Sequence, residues 1–104
     1  MIPYQLLRQA LLNRQSCFCI YDGLERYFCP HVIGWKHGVE QVLVWQYGGL
    51  TSRGPITPTG QWKCLTIANM QQLATTSQPW HVGEPGRTGR PTSCVDQVDQ
   101  QILL

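Results

Sequence analysis

The sequence predicts an α+β domain, with an N-terminal helix packed on a small antiparallel barrel of five or six strands. Three observations carry this. The chain has 104 residues, the size of one domain with one core. A single stretch of helical periodicity opens it, and only strand-like runs follow. Those runs are short and joined by short turns, which suits a small barrel better than a sandwich. The organisation expected is one domain over residues 1–104: a helix at 3–13, a barrel at 16–80, and a loop with a closing strand at 81–104.

The helix is expected at Pro3–Asn13. Pro3 suits the first helical position, where its missing N–H costs nothing. Tyr4, Leu7, Ala10 and Leu11 fall on one face, and such a stripe needs an apolar partner. Arg14 near the end suits the negative pole of the helix dipole. The run from Cys17 to Tyr21 meets Asp22-Gly23, a favoured two-residue hairpin turn because both positions need positive φ. That turn would set Tyr21 opposite Leu24, Cys19 opposite Arg26 and Cys17 opposite Phe28. The returning strand should end near Cys29-Pro30. A second hairpin should then start at His31 and turn at Lys36-His37-Gly38. Its second strand carries apolar residues on both faces, Leu43 and Trp45 on one and Val42 and Val44 on the other, so it should be central. Residues 48–61 are rich in glycine and proline and read as a loop. Residues 62–67 read as the next strand. Residues 77–92 read as a second loop, and residues 93–103 as a closing strand.

Charged residues make up 13 % of the chain and the formal net charge is +2. No basic stripe of the kind that grips duplex nucleic acid is visible. With six acidic residues, however, a local patch drawn from Arg26, Arg53, Lys63, Arg87 and Arg90 would meet little opposing charge. That permits one anionic ligand or a short nucleic acid. A weakly charged surface also favours self-association, so a homo-oligomer is a possible partner arrangement, with residues 94–104 as the candidate edge strand. No run approaches the roughly 20 apolar residues of a membrane helix, and the N-terminus lacks the pattern of a signal peptide. These features, with an odd count of five cysteines, lead to the expectation of reduced thiols in a cytoplasmic protein.

The order of several residues resembles the WYL family of small Sm-like β-barrels, found mostly in bacterial transcription regulators and phage-defence accessory proteins. A strand ends in Tyr21, a turn follows, then Arg26 and an apolar-x-Pro step at Pro30. After two strands and a loop comes a basic residue, Lys63, with Leu65 at the following aromatic position. Ile67, Met70 and Leu73 match the spacing of the strand, one-turn helical bend and returning strand, and Pro79-Trp80 matches the close. The similarity spans roughly residues 3–80. Of the tripeptide that names the family only Leu43 is kept, and Lys63 stands where arginine is usual, which removes a bidentate fork. The resemblance implies an Sm-like barrel acting as a stand-alone sensor or accessory module, with Tyr21, Arg26 and Lys63 forming a ligand pocket.

Those three residues could hold a phosphate or the backbone of a single strand; otherwise Tyr21 packs in the barrel and the cations lie solvated on its rim. Trp62 and Trp80 lie beside loops and are the candidates for stacking against bases, whereas Trp45 reads as core. Cys17, Cys19, Cys29 and His31 do not have the short-loop spacing of a zinc site, so no metal is expected, nor any cofactor. No carboxylate pair is placed for acid–base work, and no base or oxyanion donor is placed beside a cysteine nucleophile. The leading expectation is therefore a non-enzymatic module binding a nucleotide or short single-stranded nucleic acid. The alternative is a protein-interaction module acting as a homo-oligomer through exposed apolar surface.

Overall fold

Helix α1 (Pro3–Asn13) begins with Pro3 in its first turn and ends at Arg14, whose backbone is left-handed at φ 51°. The N–H groups of Arg14 and Gln15 close the last turn by donating to the carbonyls of Leu11 and Ala10, at 3.2 and 2.8 Å. Arg14 thus terminates the helix through its backbone. This arrangement comes from a computed structural model, which describes residues 1–83 and 92–102. Half of the expected second loop, residues 84–91 with Arg87 and Arg90, and residues 103–104 lie outside the described residues.

Seven antiparallel strands follow: β1 (Cys17–Tyr21), β2 (Leu24–Lys36), β3 (Val39–Thr51), β4 (Gly54–Pro55), β5 (Gln61–Thr66), β6 (Met70–Thr75) and β7 (Gln97–Gln101). The two tight hairpins form where only residues tolerant of positive φ occur. Asp22 and Gly23 lie at φ 55° and 74°, His37 and Gly38 at 50° and 77°. The first sets Cys19 opposite Arg26 and Tyr21 opposite Leu24, in the register the turn dictates. The second pairs Lys36 with Val39, so Lys36 belongs to the strand and not to the turn.

β3 is central, with β2 along one side and β4 and β5 on the other. β1 and β7 share the far edge of β2, and β6 lies outside β1. The main order is therefore β6-β1-β2-β3-β5. Laid flat, the outer strands would stand about 19 Å apart, four inter-strand spacings. Yet Thr66 ends β5 and Met70 starts β6, joined only by a 3₁₀ turn at Ile67–Asn69. Even fully extended, that link reaches about 14 Å. The sheet must curl to bring its edges together, and it forms a half-barrel.

Leu7, Ala10 and Leu11 of α1 share one core with Cys17, Cys19, Phe28, Val42, Val44, Leu65, Ile67 and Met70. The helix stripe found the partner its spacing demands. A second, smaller cluster of Val32, Leu43, Cys94 and Val95 lies beside Trp62. Leu43 and Val44 are neighbours in one strand and belong to different clusters, so β3 is covered on both faces.

Three expectations need correction. The returning strand does not stop at Pro30: β2 runs through it for 13 residues. Proline is accommodated because the pairing with β3 slips between Pro30 and Val32, leaving His31 out of that ladder. The His31 carbonyl accepts instead from Ile102 N–H at 2.8 Å. The loop at 48–61 is partly ordered as strand, since β3 continues to Thr51 and folds back on β4. The closing strand is shorter than 93–103. It starts at Gln97, after a 3₁₀ turn at Thr92–Cys94, and lies on β2 so closely that a Cβ on Gly34 would sit 2.0 Å from the Gln97 carbonyl oxygen.

The thiols are corrected too. Cys64 on β5 and Cys94 before β7 form a disulfide, with Cα atoms 5.7 Å apart, while Cys17, Cys19 and Cys29 are free and buried. An odd cysteine count leaves at least one thiol unpaired within the chain, but it does not prevent one bridge. The expectation of five reduced thiols, drawn from the odd count and the missing signal pattern, is not met. Among the described residues, no helix is long and apolar enough to cross a membrane.

Candidate functional site: a cationic mouth in the half-barrel

Arg26 stands opposite Cys19 across the β1–β2 hairpin, and Cys19 is a core residue. The hairpin register thus turns a guanidinium inward, where it is 5 % exposed. On β5, Lys63 lies opposite Val44, and Leu65 opposite Val42. Both valines and Leu65 belong to the core, so the alternation aims Lys63 inward as well. β3 runs between β2 and β5, so the curl of the sheet, and not direct pairing, brings the two cations onto one concave face.

Arg26 is held by Gln46 on β3, which is fully buried. Its Nε2 donates to the carbonyls of Gly48 and Leu50, at 3.0 and 3.1 Å. With both amide protons used, Oε1 is left facing Arg26 and accepts from Nη1 at 3.4 Å. Arg26 Nε is buried and has no partner among the described residues. The guanidinium carbon lies 5.2 Å from the centre of the Tyr21 ring, a cation–π arrangement worth about 0.5–2 kcal/mol. The Tyr21 hydroxyl accepts from the Thr66 N–H at 3.0 Å. That bond ties β1 to the end of β5, across the gap the 3₁₀ turn spans.

Arg26 makes no ion pair among the described residues, and neither does Lys63. Glu25 pairs with Ile20, one position out of phase with Arg26, and so points to the other face. Partial burial pushes the Lys63 ammonium below its ordinary pKa, and the charges of Arg26 and then Arg53 push it further. Three cations thus crowd one another at this end of the barrel. An unpaired buried charge is costly, and like charges add to that cost. An anion would relieve both.

The two tryptophans lie elsewhere. Trp62 follows the alternation away from Lys63 and stands opposite Trp45, ring centres 5.0 Å apart. His31, fully buried, presents its ring edge-on to Trp62 and stacks on Trp80, each at 5.0 Å. Its Nδ1 donates to the Cys29 carbonyl at 2.8 Å, and its Nε2 accepts from Gly83 N–H at 3.0 Å. Trp62 and Trp80 are therefore half-buried in an aromatic cluster around His31, separate from the cations. Tyr21, Arg26 and Lys63 come together; Trp62 and Trp80 do not join them.

Burial holds the free thiols protonated. Cys17 and Cys19 are pushed up to about 12, and Cys29 to about 11, in each case chiefly by desolvation. Such thiols are poor nucleophiles. At the helix, Tyr4 and Arg8 both bind Asp99, at 2.7 and 3.1 Å. They line a cleft of about 500 Å³ with Glu40 and Gln5, and there the cation already has its carboxylate. No three metal-ligating side chains gather among the described residues.

Gln46 was missed from the sequence. The available signal was a polar residue in phase with Val42 and Val44 on a central strand. An amide placed where the pattern asks for an apolar side chain indicates a buried polar partner. No protein-family model, curated protein or solved structure matches the chain.

Proposed function

We propose that the half-barrel is a divergent WYL-like, Sm-like module that binds an anionic ligand at its cationic mouth, without itself catalysing a reaction. A nucleotide or a short single-stranded nucleic acid is the favoured ligand class. The observation that carries the reading is Arg26: a guanidinium 5 % exposed, held among the described residues by a neutral amide and by no carboxylate, sharing its end of the barrel with Lys63 and Arg53. A purely structural arginine at such depth ordinarily has a carboxylate partner.

Thermal-shift and calorimetric titration with nucleotides and short oligonucleotides tests it. The wild type should be stabilised by at least one of these anions, and Lys63→Met should lose most of that effect. Absence of any response to phosphate, nucleotides and oligonucleotides at low salt would end the reading.

A further inference from the structure

We infer that the mouth recognises a terminal phosphate monoester, at the end of a nucleotide or short strand, in preference to internal phosphodiesters or the faces of bases. This rests on the anion-site reading above and narrows it.

Depth is the first reason. Arg26 is 5 % exposed, and Gln46 fixes which of its edges is used. Both Gln46 amide protons are committed to the Gly48 and Leu50 carbonyls, so the Oε1 end holds Nη1 and cannot swap with Nε2. The opposite edge, Nε–H with Nη2–H, is the two-donor fork that matches two oxygens of one oxyanion. Nε has no hydrogen-bond partner among the described residues. With Nε itself buried, a ligand reaching this fork would have to enter by a free end. A strand lying across the surface would meet Lys63 and Arg53, and its internal phosphates would stay outside.

Charge is the second reason. Three cations share this end of the barrel. A monoester carries about −1.5 to −2 at neutral pH, whereas a diester or a carboxylate carries −1. The dianion offsets more of the crowding.

The third reason is the rings. The base-stacking candidates Trp62 and Trp80 are engaged with His31, and Trp62 alternates away from Lys63. Tyr21 is engaged by Arg26 and by Thr66. The site therefore offers charge and forked hydrogen bonds and does not offer an open aromatic face.

The test compares AMP, 3′,5′-cyclic AMP and adenosine by calorimetry at low salt. A parallel comparison uses one short oligothymidylate with phosphate or hydroxyl ends. AMP should bind at least about tenfold more tightly than cyclic AMP, and UMP should match AMP within a few-fold. The phosphate-ended strand should exceed the hydroxyl-ended one by a similar factor, and inorganic phosphate should displace both. Arg53→Gln, an exposed change that leaves the core intact, should weaken AMP several-fold more than it weakens cyclic AMP. Equal affinity for AMP and cyclic AMP, or a hydroxyl-ended strand whose affinity simply grows with length, would overturn the monoester preference and leave the anion site standing. If none of the probes binds, inorganic phosphate included, both readings fall.

Discussion

Nη1 of Arg26 donates to Oε1 of Gln46 at 3.4 Å, and both residues are buried. A neutral amide orients a guanidinium but does not neutralise it. The contrast within the same molecule is Arg8, whose Nε lies 3.1 Å from a carboxylate oxygen of Asp99 at a partly exposed position. Among the described residues, a carboxylate thus partners the arginine that is near water, and none pairs with the buried Arg26.

Replacing Arg26 should therefore separate stability from binding. Arg26→Met removes a buried charge with no anionic partner among the described residues, so the fold should be unchanged or more stable, by about 1–2 kcal/mol. Any anion-induced thermal shift should vanish. Urea unfolding with and without phosphate checks both halves. A loss of several kcal/mol without ligand would mean that Arg26 serves the fold.

Lys63 should make binding depend on pH. Its ammonium ionises below the ordinary 10.5 through desolvation and the charges of Arg26 and Arg53. The anion favours charged Lys63, so affinity is greatest below the lowered pKa and falls as pH rises through it. Lys63→Arg should abolish the fall on the alkaline side. Titration with phosphate at a series of pH values up to 10 reads this, and a profile identical in both proteins would count against Lys63.

The disulfide should be visible chemically and energetically. Denatured without reductant, the protein should take up alkylating reagent on three cysteines, Cys17, Cys19 and Cys29, and on all five after reduction. The bridge joins residues 30 apart, for which loop-closure entropy gives about 3–4 kcal/mol. Cys94→Ser should lower unfolding stability by up to that amount, and five alkylated cysteines without reductant would exclude the bridge.

The buried thiols should weaken the fold at high pH. Each ordinarily ionises near 9.0, and burial raises Cys17 and Cys19 to about 12 and Cys29 to about 11. A raised acid pKa contributes stability that is complete below the ordinary value and is lost as pH climbs toward the folded one. Urea midpoints should therefore fall progressively above about pH 9. Cys17→Ala and Cys19→Ala should each flatten that slope. Below pH 8 the native protein should react slowly with thiol reagents.

Much of the fold was legible in the sequence, because periodicity and turn chemistry act over a few residues. Leu7, Ala10 and Leu11 repeat on one helical face, and burying them needs no knowledge of what they meet. Asp22-Gly23 accepts two positive φ values, and the Cys19–Arg26 register follows directly. The inward aim of Lys63 follows from its phase with Leu65. Other features depend on strands that are far apart in the chain. Pro30 looks like a strand end until β3 offers a slipped register that accommodates it. Cys64 and Cys94 look like separate thiols until β7 docks on β2 and brings their Cα atoms to 5.7 Å. The separation of Arg26 from Lys63 by β3, and the choice of Gln46 as the buried partner, depend on which edges meet when the sheet curls. Local residue chemistry set the faces and the turns, and the burial gained by curling decided which faces came together.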